Sequence, residues 1–412
     1  MSTPDVLSRS HASGRLTALD GLRGVAALVV LLHHTFLLNP QFPGSPPGEN
    51  YTGGTLFSWM SFSPLKIFTA GTESVIVFFV LSGLVVSIPA LKHGFDWFAY
   101  FPRRVARLML PVVGSVLIAA AFVAAIPQNS TQDPGTWLSR SSTPAFSWEH
   151  ILSAMDLFGG DAQINNPLWS LRWEIVFSLL LPVFVILAAL VKRWWYAGIA
   201  SAVMLTWAGI STGADSLSYL PAFFVGAMIA VGMDGVRRFA DAINRRSAHH
   251  LIWLGITLGG AMLLIASWLT GPLPEEATGI THALKALAPL AAAIIVVACI
   301  GWTALDRVLS WTPVQFAGKV SFSLYLTHVP ILIFSSYLFA DAPLFVAQIF
   351  GVSLALAVSV AFWWILESRS HEWSKRIGAR ATVGYATVAN ATRQQRERRE
   401  RADEAVGLRR QG

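Results

Sequence analysis

Long uninterrupted runs of apolar residues dominate this chain, and shorter polar connections separate them. A run of about 20 apolar residues is what an α-helix needs to cross the hydrocarbon core of a bilayer. The runs are continuous and do not alternate with period two, which favours helices over the strands of a membrane β-barrel. The pattern therefore predicts an all-α, polytopic membrane protein with about ten transmembrane helices. The ten runs are Leu19–Leu38, Ser74–Leu91, Leu108–Ile126, Leu168–Leu190, Trp194–Ile210, Leu217–Gly232, Leu251–Leu269, His282–Ile300, Val320–Ala340 and Pro343–Leu366.

Composition supports the same class of protein. Of the 412 residues, 54% are hydrophobic and 13% are charged, and the mean hydropathy is +0.54, which excludes an ordinary soluble domain. Cys299 is the single cysteine, so no intrachain disulfide can form. Residues 1–18 are too polar for the core of a secretory signal, and we expect the first helix to stay in the mature protein.

Basic residues indicate the orientation in the membrane. With the N-terminus inside, the cytoplasmic segments hold 25 of the 30 lysines and arginines, as the positive-inside rule requires. We therefore predict that both termini are cytoplasmic, with a cytoplasmic segment 1–18, a transmembrane domain 19–366 and a basic tail 367–412. The net charge of +7 comes largely from that tail, so it does not indicate binding of nucleic acid. We interpret the tail as a solvated segment, and contact of its basic residues with anionic headgroups of the lipid bilayer is the alternative.

The first apolar run contains an arginine and a histidine eleven residues apart, Arg23 and His34. In a helix this spacing places them within about 20° of one face and roughly 16 Å apart along the axis. Ionisable side chains are costly in hydrocarbon and usually mark function. The pattern predicts a fixed cation near one membrane surface and a catalytic base near the other, while His33 points about 100° away and is interpreted as a bystander.

Four further residues carry both a structural and a functional interpretation. Ser82 precedes a glycine in the second run, where such pairs usually allow close helix packing. Arg104 and Arg107 are three apart, so they either clamp a phosphate or simply anchor the helix at the cytoplasmic surface. Glu174 fits either a general acid–base group with a raised pKa or a structural ion pair.

The ninth run carries Tyr325 and His328, which share a helical face because they are three residues apart. A lone buried histidine is often only a satisfied core residue, but the presence of His34 makes a substrate-lining role an equal alternative. The spans contain no pair of histidines at metal-binding spacing and no acidic cluster, so we expect no metal.

The order of these motifs resembles the acyltransferase 3 family, membrane-embedded O-acyltransferases that modify bacterial surface polysaccharides, lipids and some secondary metabolites. The likeness covers roughly residues 15–370. The motifs are Leu19-Asp-x-Leu-Arg-Gly…His34, Phe78-Phe-Val-Leu-Ser-Gly83, Arg104-x-x-Arg107-x-x-x-Pro111, Leu168-Trp-Ser-Leu-x-x-Glu174 and Ser321-x-Ser-Leu-Tyr-Leu-x-His328.

The resemblance implies a ten-helix core, a cytoplasmic acyl-CoA donor, essential roles for Arg23 and His34, and a role for the arginine pair. The chain departs from the family pattern at Ile175, where a second acidic or polar residue is common, and after Glu367, where proline often follows at the second position. Some members carry a fused SGNH hydrolase-like domain. Only 46 residues follow the last run, so we expect none here.

These features combine into one mechanistic hypothesis. Acyl-CoA, acetyl-CoA by default, is a co-substrate and no cofactor is permanently bound. Arg104 and Arg107 bind its phosphates, and His34 acts as general base on a hydroxyl of a glycan, lipid or small-molecule acceptor. Arg23 and Glu174 assist, while Ser82, Tyr325 and His328 line the substrate path.

Several alternatives stay open at this point. A transient acyl-histidine is the variant mechanism, and a transporter or flippase for an acylated or anionic molecule is the alternative function. The chain shows neither an internal repeat nor paired broken helices, which argues against the transporter. We expect a multi-pass protein of the bacterial cytoplasmic membrane, and a homo-oligomer is compatible with the sequence.

Overall fold

Helices form the regular structure throughout the part of the chain that the structure, a computed structural model, describes: residues 17–42, 55–128, 136–143, 145–159, 162–271, 277–385 and 387. The α-helices are α1 Thr17–Leu37, α2 Leu56–Phe62, α3 Gly71–Ala90, α4 Trp97–Ala125, α5 Trp137–Ser141, α6 Trp148–Met155, α7 Leu168–Leu179, α8 Leu181–Leu190, α9 Trp195–Thr212, α10 Asp215–Val231, α11 Met233–Asn244, α12 His249–Leu264, α13 Ala266–Leu269, α14 Thr278–Ala286, α15 Ala288–Gly301, α16 Thr303–Leu309, α17 Thr312–Leu338 and α18 Leu344–Phe362. Two 3-10 helices, Pro64–Thr69 and Lys192–Trp194, and a π-helix, Trp363–Glu367, complete the described elements.

Six helical stretches in the described residues are long and apolar enough to cross a membrane, and two bent pairs bring the total to eight. The six are Thr17–Leu37, Gly71–Ala90, Trp97–Ala125, Thr278–Gly301, Thr312–Leu338 and Leu344–Tyr385. Each of the ten apolar runs overlaps a helix, so the all-helical prediction is confirmed. The count of ten spans and the cytoplasmic location of both termini stay predictions.

The fourth run forms a bent helix pair, α7 and α8, and α10 of the sixth run forms a second bent pair with α11. The prediction that the chain has no paired broken helices is therefore wrong. The axes of α7 and α8 differ by 67°, and those of α10 and α11 by 72°. Pro182 opens α8 and has no amide hydrogen, so it cannot bond the carbonyl of Ser178 four residues earlier. The hydroxyl of Tyr100 on α4 donates to that carbonyl at 3.2 Å. The bend thus exposes a backbone acceptor that ties α7 to α4.

Glycines let α1 approach α17 closely. A Cβ atom added at Gly318 would lie 2.1 Å from the carbonyl oxygen of Asp20, and one added at Gly24 would lie 2.5 Å from the amide nitrogen of Gly318. The Ser82-Gly83 pair shows the same packing, because a Cβ at Gly83 would lie 2.1 Å from the carbonyl oxygen of Phe223 on α10. Backbones in such contact position neighbouring side chains within narrow limits.

A buried lysine anchors the connection between α1 and α3. Lys66 is fully buried, and its ammonium group lies 3.3 Å from the centroid of the Trp268 ring. The indole Nε1 of Trp268 donates to Glu73 at 2.8 Å. Burial lowers the pKa of Lys66 to about 8, and the Glu73 carboxylate opposes that shift. A cation over an aromatic face beside a carboxylate holds this connection against α13.

The last helical region extends beyond the predicted end of the membrane domain. Helix continues from α18 through the π-helix to Tyr385, so the first part of the segment assigned to the tail is helical. The predicted N-terminal segment and the remainder of the tail fall almost wholly outside the described residues.

We expect Gly318→Ala to destabilise the protein, since its new methyl group would collide with the backbone of α1. Overpacking of this kind costs about 1–3 kcal/mol. Gly255→Ala is the matched control, because a Cβ there meets open space and alanine is the better helix former. Thermal unfolding in detergent measures both variants. Equal midpoints for the two would contradict the close packing of α1 on α17.

Candidate active site

Two histidines from the helices joined by this glycine contact meet inside the bundle. The Nδ1 atom of His34 on α1 lies 3.2 Å from the Nε2 atom of His328 on α17, and the ring centroids are 4.9 Å apart. His328 is 1% exposed, whereas His34 is half-buried. His34 is therefore the member of the pair that a substrate can approach.

Backbone carbonyls determine which ring nitrogens carry protons. The Nδ1 atom of His328 lies 2.9 Å from the carbonyl oxygens of both Leu324 and Tyr325, so it is a donor and Nε2 is left as an acceptor. The Nδ1 atom of His34 lies 2.9 Å from the carbonyl oxygen of Val30 and also faces His328. We assign its proton to Nδ1 from this network. The lone pair of neutral His34 is then on Nε2, free to accept a proton.

Aromatic side chains border His34. The Trp137 ring lies 5.4 Å from that of His34, measured between centroids. His33 is buried, with Gly71 against its ring, where an added Cβ would lie 2.4 Å from Cδ2. His34, and not His33, makes the hydrogen-bond contact with His328, and the interpretation of His33 as a bystander stays a prediction.

The start of α7 is tied to the turn of α17 that carries the buried histidine. The hydroxyl groups of Tyr325 and Ser170 are 2.6 Å apart, and the amide of Asn165 donates to the carbonyl of Leu326 at 3.0 Å. The ring of Tyr325 lies 6.0 Å from that of His328. Tyr325 thus positions α7 beside the histidine pair, as well as lying on the face that the sequence predicted.

The first arginine of the predicted clamp belongs to an ion pair. Arg104 Nη2 lies 2.7 Å from Glu174 Oε1, and its Nε donates to Ser178 at 3.0 Å. Ser82 donates to the same carboxylate oxygen at 3.2 Å. Of the two interpretations that the sequence left open for Glu174, this geometry favours the ion pair. Its carboxylate binds Arg104 and Ser82 and is not placed against the histidines by these contacts.

A second carboxylate, which sequence reasoning did not select, joins the arginines. Glu367 is buried in the π-helix and accepts a hydrogen bond from Ser323 of α17. It lies within electrostatic reach of Arg23 and Arg107. π-helical turns often occur at functional sites. The sequence offered one sign of this role, since Glu367 directly follows the last apolar run. The position was interpreted only as the start of a departure from the family pattern.

Three arginines and two glutamates therefore converge at one end of α1. Arg107 interacts electrostatically with Arg104, Arg23, Glu174 and Glu367. The three arginines carry one more charge than the two carboxylates neutralise. His371 also interacts electrostatically with Arg107 and Arg23. We call Arg23, Arg104, Arg107, Glu174 and Glu367 the arginine cluster. Its excess positive charge suits an anionic ligand.

Comparison with known proteins shows the family of the chain. Residues 16–366 match the family described as an acyltransferase domain, acyltransferase 3. The chain belongs to this family. An acyltransferase 3 domain with six to eight helices able to span a membrane is a multi-pass membrane protein. No solved structure matches the chain significantly.

Three relatives carry related names. "Putative peptidoglycan O-acetyltransferase YrhL" of Bacillus subtilis is 25% identical over 78% of this chain and 49% of its own length. O-acetyltransferase OatA of Staphylococcus aureus is 24% identical over 89% of this chain and 59% of its own. O-acetyltransferase PaAT-1 of Phomopsis amygdali is 26% identical over 76% of this chain and 71% of its own length. The chain thus spans about half the length of the Bacillus relative and about three fifths of the length of the Staphylococcus relative.

We expect Arg104 and Glu174 to be coupled energetically. Replacing either with Met leaves the other charge without its partner, which costs about 1.5–3 kcal/mol of unfolding free energy. The double Met variant should lose less than the sum of the two single losses. Denaturation midpoints of the four proteins give the coupling. Arg103→Met, at an exposed neighbour, is the control and should stay near wild type. Strictly additive losses would argue against the ion pair.

Proposed function

We propose that this protein transfers an acyl group, acetyl by default, from cytoplasmic acyl-CoA to a hydroxyl group of an acceptor. The observation that carries the proposal is the contact between His34 Nδ1 and His328 Nε2. It leaves His34 Nε2 as an accessible base. The names of the relatives as O-acetyltransferases support the reaction class.

The chemistry follows from the protons assigned above. His34 Nε2 removes the proton of the acceptor hydroxyl, and the resulting oxygen attacks the thioester carbonyl. The carbon–sulfur bond then breaks, and the thiolate takes the proton back from the imidazolium. The products are an ester and CoA with a free thiol. Atoms and charges balance without another reactant.

His328 has a positioning role in this scheme. When His34 becomes an imidazolium, its Nδ1–H is held by the carbonyl of Val30 and by His328 Nε2. Those acceptors stabilise the cation that forms during proton transfer. The proton that His34 removes from the hydroxyl is bound at Nε2, whereas His328 contacts Nδ1 on the other side of the ring. The proton therefore stays on His34 until the thiolate receives it.

The arginine cluster supplies the donor site in this proposal. CoA carries phosphate groups, and its pantetheine arm is long enough to bridge the roughly 16 Å that separates Arg23 from His34 along a helix. Arg107 is the member that we assign to phosphate binding, since Arg104 already holds Glu174. Arg23 extends the positive surface toward α1.

The acceptor that we propose is a cell-envelope glycan. The Bacillus relative is named for peptidoglycan, and a sugar hydroxyl meets the requirements of the reaction. A lipid or a small secondary metabolite would react by the same steps. We place the enzyme in the bacterial cytoplasmic membrane, with donor and acceptor approaching from opposite sides.

An acyl-histidine intermediate on His34 Nε2 is the variant of this mechanism. A transporter or flippase is the alternative function, and the comparisons favour the enzyme. Release of CoA from acetyl-CoA by the purified protein, in the presence of acceptor, separates enzyme from transporter.

We expect Arg107→Ala to weaken acetyl-CoA binding by roughly ten- to a hundredfold, as loss of one charge-assisted contact predicts. Arg107→Lys should recover only part of the affinity if the contact is bidentate. Arg103→Ala is the matched control on the same helix, because Arg103 is exposed. Equilibrium binding of acetyl-CoA is the measurement. Unchanged affinity in folded Arg107→Ala would remove the phosphate assignment and restore the anchoring interpretation.

We expect His34→Ala to fold, to bind acetyl-CoA and to lose acyl transfer by about 10²–10⁴-fold, the usual contribution of a general base. His282→Ala is the matched control, since that histidine bonds Ser211 and lies outside the site. Acetyl transfer and acetyl-CoA binding are measured on the same preparations. Transfer by His34→Ala at the rate of His282→Ala would show that the base is misassigned.

A further inference from the structure

A polar and aromatic cavity lies beside α7, on a different face from the residues that contact the histidine pair. Its volume is about 190 Å³, and its walls include Trp169 and Trp173 of α7, Asp156 and Asp215. Ser170, between the two tryptophans in sequence, bonds Tyr325 of α17. Residues of α7 therefore contact both the cavity and the tyrosine next to His328.

The aromatic residues form a platform. Trp169 and Trp173 are four residues apart, so they lie one above the other on one face of α7. The Tyr219 ring of α10 packs beside both, with centroid distances of 5.0 Å and 6.0 Å. The faces of such rings carry negative charge density and attract the weakly positive C–H groups of a sugar ring.

Charged groups at the cavity are held in place. The Nε atom of Arg172 donates to the carbonyl of Leu157 at 2.9 Å, which orients the guanidinium group at the wall. Asp156 Oδ1 accepts from the amides of Phe158 and Gly159 at 3.0 Å and 3.2 Å. The cavity thus presents carboxylate acceptors beside an apolar platform.

This combination selects among the acceptor classes. A fatty chain needs no carboxylates, and two carboxylates, Asp156 and Asp215, oppose a phosphate or another anion. Sugar hydroxyls donate hydrogen bonds, so they match the two aspartates. The volume is below the roughly 300–1,000 Å³ of pockets for drug-sized ligands, as expected for a single ring.

We propose that this cavity binds one sugar ring of the acceptor glycan while a neighbouring ring presents its hydroxyl to His34. The inference rests on the proposed function in that the bound glycan is the acyl acceptor. Sugar binding itself needs no acyl-CoA and no chemistry, so it can be tested separately. Its expected kinetic consequence is a lower KM for an oligosaccharide than for a single sugar.

The binding experiment uses the β-1,4-linked tetramer of N-acetylglucosamine as probe and the full chain in detergent, by isothermal titration calorimetry without acyl-CoA. We expect wild type to bind, and Trp173→Ala to bind roughly three- to tenfold more weakly. Trp173→Phe should recover part of the affinity, and Asp156→Asn should weaken binding without removing the platform. Trp148→Ala is the control, because Trp148 is 68% exposed and lies outside the cavity.

Acetyl-CoA binding on each preparation verifies folding. Tetramer affinity that is equal in wild type, Trp173→Ala and Asp156→Asn, or the absence of binding by wild type, would overturn the inference. Loss of transfer to the tetramer in Trp173→Ala, with unchanged acetyl-CoA binding, would support it. If wild type binds the tetramer through Trp173 but never acetylates any sugar, the proposed function fails while the sugar site stands.

Discussion

Ionisable groups inside an apolar bundle must find partners there, and this constraint organises the whole centre of the molecule. Charged or polar side chains without partners in such surroundings cost several kcal/mol each. Arg104 is paired with Glu174, Glu367 is bonded by Ser323, and His328 donates to two backbone carbonyls. These partnerships join α4 to α7 and α17 to the π-helix. The proposed function uses the two features that remain, which are the lone pair of His34 Nε2 and the excess positive charge of the arginine cluster.

Close backbone packing between α1 and α17 brings the two histidines within hydrogen-bond distance of each other. Gly24 and Gly318 bring α1 against α17, and the histidine pair lies on those same two helices. A side chain at either glycine would separate the helices by more than the tolerance of a hydrogen bond of 3.2 Å between the histidines. Small residues that look like simple membrane packing are therefore part of the proposed site's geometry.

Local patterns predicted much of this structure, because they depend on the spacing of residues along one helix. The apolar runs located the helices, and periodicity placed Tyr325 beside His328. The bends at Pro182 and Gly232 and the ion pair between Arg104 and Glu174 were not predicted. Partners 70 residues apart are determined by how helices pack, which one sequence does not show. Glu367 was missed for the same reason, since its partners Arg23, Arg107 and Ser323 lie on three other helices.

The proposed mechanism requires one continuous path from the arginine cluster to Nε2 of His34. A cryo-electron-microscopy structure with a non-reactive thioether analogue of acetyl-CoA would reveal such a path. The mechanism predicts CoA phosphate density against Arg107, the pantetheine arm along α1, and the acyl carbon within about 4 Å of His34 Nε2, the reach of a near-attack geometry. Phosphates bound away from the arginine cluster, or an acyl group that ends far from His34 while the two histidines stay in contact, would contradict it.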